Sequence, residues 1–408
     1  MDIKADVLIC GCGITGITIA YNLVKRGYGN IVVLEKEDSL GKHASGRNSG
    51  VLHAGVYYTP DTLKARFCLD GNKLLKKYCK EKRLPLLETG KVIVARNEYE
   101  LVTLKELYYR ALKNGAKVEL IDHEHLSEVE PNARTFEKAL YSYDTAVIDP
   151  LRILKSLYDD IIASGEVKVF FGTRFKGVKG SSTALTSRGA IRFDKFINTA
   201  GSFSDVIAHS FGLARNFKLI PFKGVYRKLK NELAGRINSS IYPVPDIKNP
   251  FLGVHFTKNV NNEVYLGPTA IPAFGRENYG LVSGLSAEAF EIAYRDMRLF
   301  FSNEKFKTIA LVEPRKYLFK YFFEDVKRLV KDISPGDIEN SSKVGIRPQL
   351  VDWLTKELVM DFLVIKDANS IHVLNAISPA FTSSMAFSEF VINTYIEGNA
   401  GDRVSRAV

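Results

Sequence analysis

Cysteine is scarce in this chain. The four present, Cys10, Cys12, Cys68 and Cys79, are too scattered for a disulfide framework. Cys10 and Cys12 flank a glycine in a tight loop with no second ligand pair, so they read as small core residues in a reducing compartment. Long apolar runs are missing as well: nothing approaches the ~20 residues of a membrane span. The opening MDIKADVLICG enters a strand almost at once, which leaves no room for a signal peptide and points to a cytoplasmic protein. There is no internal repeat and no low-complexity tract. Acidic residues are outnumbered, 46 against 57 basic ones, and the formal net charge of +11 favours anionic partners: a dinucleotide, an acidic substrate or anionic lipid. Nucleic acid fits poorly, because the basic residues form no arm and no nucleic-acid motif is present. What remains is a chain of 408 residues with 46% hydrophobic and 25% charged residues, enough for two domains around a sizeable core.

The stretch that organises the rest is DVLICGCGITG, Asp6–Gly16, with Glu35 beyond it. Asp6 to Cys10 reads as a buried strand. Gly11, Gly13 and Gly16 form a G-x-G-x-x-G turn, and a helix opens at Ile14 with Ile17, Ala20, Tyr21 and Val24 at helical spacing, stopped by Gly27. A second strand, Ile31–Leu34, ends in Glu35. Gly11 permits the tight turn, Gly13 lets backbone approach a pyrophosphate, and Gly16 lets helix and strand pack closely. The helix N-terminus offers unpaired N–H groups to phosphates, and Glu35 can accept hydrogen bonds from a ribose. Alone the glycine pattern is weak; in a strand–turn–helix–strand–acid setting it predicts a dinucleotide site.

Residues 41–68 form a loop rich in small and hydrogen-bonding residues, and such a loop beside a nucleotide turn is usually functional. Helices are expected over 62–82, 98–114 and from Pro150 to about Ile162, with strands at Lys91–Ala95, Lys117–Ile121 and Val167–Phe171. His123 and His125 lack a third ligand nearby and read as part of a solvated loop, so no metal site is expected. Arg192–Asn198 reads as a strand running into Thr199, Ala200 and Gly201, a second nucleotide-facing edge. Residues 217–285 are strand-rich and 286–332 helical. Within the latter, Arg315–Lys331 holds six basic residues against two acidic ones, with Leu318, Phe319, Phe322, Val326 and Leu329 on one face. It reads either as a core-packed helix with a solvated basic face or as a helix on the inner face of a membrane. Short runs at Val344–Gln349, Leu358–Val364 and His372–Asn375 precede a last helix to about Ile396 and a loose tail, GDRVSRAV.

The fold class is therefore α/β: a discontinuous Rossmann-like dinucleotide domain with an inserted strand-rich α+β domain. The expected division is 1–85, 146–213 and 340–408 for the first, and 86–145 with 214–339 for the second.

Together these residues resemble the FAD-dependent D-amino-acid oxidase and glycerol-3-phosphate dehydrogenase superfamily, and within it the L-2-hydroxyglutarate oxidase/dehydrogenase branch. GCGITG with Glu35, GRNSGVLHAGVYYTPDTLKA, NTAGSFSD, PFKGVY, PFLGVHFT, LGPTAIPAF, GIRPQL and HVLNAISPAFTSS carry the resemblance. It implies that Gly11, Gly13, Ile14, Thr15 and Gly16 cradle the FAD pyrophosphate and that Glu35 binds the ribose. Ser45, Gly46, Asn48, Ser49 and Gly50 would follow the cofactor toward the flavin, and Phe175 would meet the adenine. Ala200 and Gly201 would close over the dinucleotide. Gly345 and the segment Pro379, Ala380, Phe381, Thr382 and Ser383 would lie near the isoalloxazine, the latter with a helix N-terminus able to stabilise negative charge. The chain departs from the branch at Lys223, where arginine is usual, at Val225, where an acid is usual, and at Pro348, Ile377 and Phe381.

The resemblance implies oxidation of a small anionic 2-hydroxy acid, L-2-hydroxyglutarate to 2-oxoglutarate in the first instance, by hydride transfer to flavin N5. The alternatives are an amine or amino-acid oxidase on the same fold and a non-catalytic flavin-binding protein. Such chemistry needs a base for the hydroxyl proton and a cation for the carboxylate. His255 and His53 are the candidate bases, since imidazole is poised near neutral pH. The His53 region also leaves covalent FAD attachment open. Arg347 is the candidate carboxylate ligand, and Lys223 or Tyr226 could meet a second acidic group. Oxygen, a quinone or a protein remain the possible electron acceptors.

Overall fold

The computed structural model describes residues 3–246 and 251–398. Its parallel sheet runs in the order Val167–Phe170, Ile31–Leu34, Ile3–Cys10, Gly189–Asn198 and Ser370–Val373. Val364–Asp367 lies antiparallel on one edge, and the hairpin Phe175–Lys179/Thr183–Thr186 extends the first half of Gly189–Asn198. Every residue of Ile31–Leu34 is buried, which is why that strand reads as an unbroken apolar run. Val7 and Ile9 face one core, shared with Ile17, Leu23, Leu154 and Leu157 from two helices. Leu8 and Cys10 face another, with Phe193, Phe196 and Ile207.

The helices start where local chemistry lets them. Thr62 accepts from the Ala65 N–H at the head of Leu63–Glu81, and Asn97 accepts from the Glu100 N–H at the head of Glu98–Lys113. Asp149 accepts from Leu151 and Arg152, with Pro150 in the first turn of Pro150–Ala163. Leu63–Glu81 packs tightly on Ala380–Val391: a Cβ on Gly71 would stand 2.2 Å from the Thr382 carbonyl oxygen.

The second sheet has ten strands. Its spine is Ile338–Asp352 antiparallel to Phe217–Leu229, from Phe217 opposite Asp352 to Leu229 opposite Ile338. It continues through Val264–Gly267, His255–Lys258, Ser240–Pro243 and Lys91–Val94 to Ala139–Ser142 and Val118–Ile121. Thus residues 340–352, grouped at first with the dinucleotide domain, lie in a strand of the second sheet. A small third sheet joins Val51–Leu52, Ala146–Ile148 and Leu86–Leu87.

Two further expectations change. His123 and His125 lie on a short helix, His123–Val129, because Asp122 caps it by accepting from the His125 N–H. Arg315–Lys331 is a 3-10 turn, Glu313–Tyr317, followed by the short helix Phe319–Val326. Its Phe322, Val326 and Leu329 are buried, and Phe319 and Phe323 pack on the same core, so most of this apolar face is covered and only Leu318 of it stays exposed. The tail 401–408 lies outside the described residues. Among the described residues, no helix is long and apolar enough to cross a membrane.

Candidate active site

The C-terminal ends of the parallel strands open into a cavity of about 570 Å³ that reaches the second sheet, within the size range of small-molecule and cofactor sites. Its glycine end fits a dinucleotide. Gly11 has φ +112°, and a Cβ there would stand 2.6 Å from the Thr199 carbonyl oxygen; one on Gly16 would stand 2.0 Å from the Gly11 carbonyl oxygen. Side chains are thus excluded where the turn packs against its own backbone and against Thr199. Gly13, the residue before the helix Ile14–Lys25, has no side chain to cap it. The Ile14 N–H donates to Ser45 Oγ at 2.9 Å, which sets the following loop against the turn. The Glu35 carboxylate accepts from the Cys12 and Glu37 N–H groups at 3.1 and 3.0 Å, so it is oriented and keeps lone pairs for a ribose.

Of the other expected cofactor residues, Gly13, Thr15, Asn48, Ser49, Phe175, Ala200 and Gly201 line the cavity, as do Gly345, Pro379, Ala380, Phe381 and Thr382. Gly16, Gly46, Gly50 and Ser383 stand behind the lining. Gly46 and Gly50 shape the loop: their Cβ atoms would meet the carbonyl oxygens of Gly41 at 2.1 Å and Ile148 at 2.5 Å. The helix Ala380–Val391 likewise begins without a side-chain cap, presenting its N-terminus to the cavity.

The rim holds a cluster that sequence reading missed. Glu37, His43 and Glu277 bring three metal-type donors together, but the Lys36 ammonium lies against both carboxylates. That hydrogen bond is the main reason the Glu37 carboxyl is pushed down to about 2. His43 Nδ1 and Tyr279 Oη are 2.8 Å apart, and the Arg47 guanidinium lies over the Tyr279 ring at 4.2 Å. The cluster ties residues 277–279 to the cofactor loop.

At the far end, the second sheet brings the candidate base His255 and the candidate carboxylate ligand Arg347 to the cavity. His255 opens the strand His255–Lys258 and stacks on Tyr242, centroids 3.8 Å apart. Its Nδ1 lies 2.7 Å from the Gly253 carbonyl. A carbonyl only accepts, so Nδ1 carries the proton and Nε2 keeps its lone pair. Burial pushes the imidazole pKa down to about 3. His53 also lines the cavity, with its N–H donated to Thr382 Oγ1 at 3.2 Å and its Nδ1 buried without a partner among the described residues. Burial holds its pKa well below the ordinary imidazole value, and the nearby Lys91 lowers it further.

Arg347 lies on Ile338–Asp352 with its guanidinium over the Phe251 ring at 4.9 Å. No carboxylate of the described residues forms an ion pair with it. Asp361, an internal acid that could have neutralised it, instead accepts from the N–H groups of Leu63 and Lys64. Burial lowers the Arg347 pKa, partly offset by Tyr226, Tyr58 and Glu313. Tyr226 faces the same cavity, and burial raises its phenol to about 12, keeping it a donor. Lys223 does not join them. On the strand Phe217–Leu229 it is Phe222, Gly224 and Tyr226 that reach the cavity, while the Lys223 amine donates to Asn278 Oδ1 at 2.9 Å and the Gly280 carbonyl at 2.6 Å.

Behind this wall sits Lys91, fully buried at the start of Lys91–Val94. Its amine has no hydrogen-bond partner among the described residues and stands over the rings of Tyr57 and Tyr242 at 4.4 and 4.9 Å. Burial pushes its pKa down to about 7. The signal in the sequence was a lysine opening the apolar run KVIVA.

Comparisons with known proteins bear on the family and the fold. The profile of a family described as FAD dependent oxidoreductase matches residues 6–393. The chain is 35% identical over 387 residues to the L-2-hydroxyglutarate dehydrogenase of Indibacter alkaliphilus, covering 93% of this chain and 96% of that one. It is 33% identical over 412 residues to the mitochondrial L-2-hydroxyglutarate dehydrogenase of Homo sapiens, covering 95% and 87%. Among solved structures, the FAD-bound L-alpha-glycerophosphate oxidase of Mycoplasma pneumoniae superposes with a TM-score of 0.75 at 23% identity, covering 96% of this chain and 94% of that one. Glycine oxidase from Geobacillus kaustophilus superposes with a TM-score of 0.74 at 18% identity, covering 100% of each. These two likenesses speak to the fold.

Proposed function

The chain belongs to the FAD-dependent oxidoreductase family, and from that premise we propose that it oxidises a small 2-hydroxy acid, L-2-hydroxyglutarate, to the 2-oxo acid. The observation that carries the reading is the pairing, in one cavity, of a guanidinium free of any carboxylate partner among the described residues, Arg347, with the neutral imidazole of His255. It draws further support from the relatives named above as L-2-hydroxyglutarate dehydrogenases.

FAD would rest along Gly11–Gly16, Glu35, Ser45–Ser49 and Ala200–Gly201, and when bound it supplies the two-electron acceptor. The protein's part is placement. Arg347 takes the substrate carboxylate in a two-bond fork, which a planar guanidinium does and an ammonium does not. His255 Nε2, held as the lone-pair nitrogen by the Nδ1 bond to Gly253, takes the hydroxyl proton as the α-hydrogen leaves with its electron pair. The Tyr226 hydroxyl donates to the second carboxylate, the position Lys223 vacates by bonding Asn278. His53 serves as a cofactor contact.

The test is stereochemical. The L and D enantiomers of 2-hydroxyglutarate are offered with a dye acceptor, and product is identified by mass spectrometry. Turnover of the L form to 2-oxoglutarate supports the reading; turnover of an amino acid with neither enantiomer consumed rejects it. Reoxidation rates with oxygen, a soluble quinone and a protein acceptor identify where the electrons go.

A further inference from the structure

The strand Ile338–Asp352 carries a second cation on the face that holds Arg347. Side chains alternate along a strand, so Lys343, Gly345 and Arg347 share one side, and Gly345 and Arg347 line the cavity. Gly345 is paired with Gly224 of the neighbouring strand, which also lines the cavity. The floor between the two cations therefore bears no side chain from either strand. The register shift between Val225 and Arg227 falls at the Lys343 end of that floor. It sets Tyr226 against Lys343, whose ammonium lies over the Tyr226 ring at 5.3 Å and the Tyr265 ring at 4.6 Å. Tyr265 belongs to the same sheet face as His255, since Thr257 is paired with Tyr265 and His255 with Gly267.

This half-buried ammonium makes no hydrogen bond and no ion pair among the described residues. The carboxylates whose field reaches it are Glu263 and Asp149, and both are committed elsewhere. Glu263 accepts from Lys228 at 2.7 Å and from Asn259 at 2.8 Å, while Asp149 accepts from the Leu151 and Arg152 N–H groups at the head of its helix. Burial outweighs their field and pulls the amine's pKa down to about 8. A cation is thus held at the cavity wall by two rings, without an anion.

We propose that Lys343 is a specificity-determining residue: its ammonium takes the distal carboxylate of the substrate, so that the cavity selects dicarboxylate over monocarboxylate 2-hydroxy acids. This rests on the reading of Arg347 and His255 given above. Four residues along a strand span about 13 Å, and strand side chains stand roughly perpendicular to the sheet. A charge-assisted hydrogen bond of about 2.8 Å at each end leaves about 7 to 8 Å, close to the separation of the outer oxygens in an extended five-carbon diacid. The Tyr226 hydroxyl reaches the same carboxylate, and the two rings steady the ammonium without neutralising it. A monocarboxylate would leave that charge desolvated and unpaired, which is the source of the discrimination. Lys91 does not fill this place, because it lies across Tyr242, with the strand of His255 between it and the strands of Tyr226 and Arg347.

The experiment uses the flavin-loaded full chain and two unreactive probes, glutarate and pentanoate, with binding measured by calorimetry. Turnover of L-2-hydroxyglutarate and L-2-hydroxypentanoate with a dye acceptor is measured alongside. The wild type should prefer the diacid of each pair. Lys343→Met should lose about ten- to hundredfold in glutarate affinity and in kcat/KM for L-2-hydroxyglutarate. Pentanoate binding, flavin content and melting temperature should stay as they are, and Lys343→Arg should recover most of the loss. A methionine variant that binds glutarate like the wild type overturns the proposal and leaves the oxidation of 2-hydroxy acids intact. Equal losses for glutarate and pentanoate also overturn it, since Lys343 would then act through packing alone. Wild type that binds glutarate through Lys343 yet oxidises neither hydroxy acid would instead overturn the preceding reading and leave the dicarboxylate selection standing.

Discussion

The imidazole of His255 lies against the ring of Tyr242, centroids 3.8 Å apart and planes 20° from parallel, over which the buried Lys91 amine also stands at 4.9 Å. One stack thus joins the candidate base to a cation that disfavours its protonation. His255 stays neutral because it is buried, and Lys91 and Arg347 add like-charge repulsion.

The first prediction concerns that neutrality. With its pKa pushed down to about 3, His255 remains competent as pH falls, and function is lost only as pH approaches that value. The profile of kcat/KM, which reports the free enzyme's groups, should be flat from about pH 8 to about pH 5. An inflexion near the ordinary imidazole value would place the base in a solvated histidine. His255→Ala should keep FAD and slow flavin reduction by ~10²–10⁴; near-normal reduction would move the role to His53 or solvent.

Lys91→Met removes a buried amine that has no hydrogen-bond partner among the described residues, so thermal stability should hold or rise. The wild-type amine titrates near 7 when folded and at 10.5 when unfolded. The unfolded chain therefore binds more protons between those values, and stability falls as pH drops from 10.5 to 7, by up to about 1.4 kcal/mol per pH unit. Melting curves of the methionine variant should lack that component. Its loss of positive charge should also shift the acid limb of kcat/KM to higher pH. Identical pH dependence in both proteins would separate Lys91 from the site.

Arg347→Lys keeps the charge and loses the fork, so the substrate concentration needed for half-maximal flavin reduction should rise by at least about tenfold with FAD still bound. Arg347→Met should lose more, since the substrate carboxylate would be buried without a partner. Unchanged kinetics, or unfolding with no separate kinetic defect, would make Arg347 part of the scaffold.

Gly16→Ala places a Cβ 2.0 Å from the Gly11 carbonyl oxygen, which forces the strand and helix of the turn apart. The purified variant should carry little flavin per protein by visible absorbance. A fully yellow Gly16→Ala protein would move the cofactor away from this turn.

The glycine turn and Glu35 were legible because their constraints are local: a positive φ at Gly11 and two backbone contacts decide them. Lys223 was misplaced because which face a strand residue takes depends on register. Once Tyr226 is on the cavity side, alternation sends Phe222 and Gly224 there and Lys223 to the other. The sequence shows the alternation but not which parity faces the cavity, which the pairing with Ile338–Asp352 decides. Lys91 left only one trace in the sequence, a lysine at the head of KVIVA, and its burial was not legible for a similar reason. It is buried by Ser240–Pro243 and Ala139–Ser142, strands distant in sequence that flank it on either side. The apolar face of 315–331 could be read as core-packed or membrane-facing, and the burial of Phe322, Val326 and Leu329 decides for the core, since only packing tells which stripe of a helix meets it.

The most direct test is anaerobic titration of the purified yellow protein, following the flavin absorbance. L-2-hydroxyglutarate should bleach it at one equivalent per flavin, with 2-oxoglutarate released in the same amount, and Arg347→Met should stay yellow under the same conditions. A flavin that bleaches with an amine or amino acid and ignores every 2-hydroxy acid would contradict the assignment, and one that no small acid or amine reduces would contradict catalysis itself.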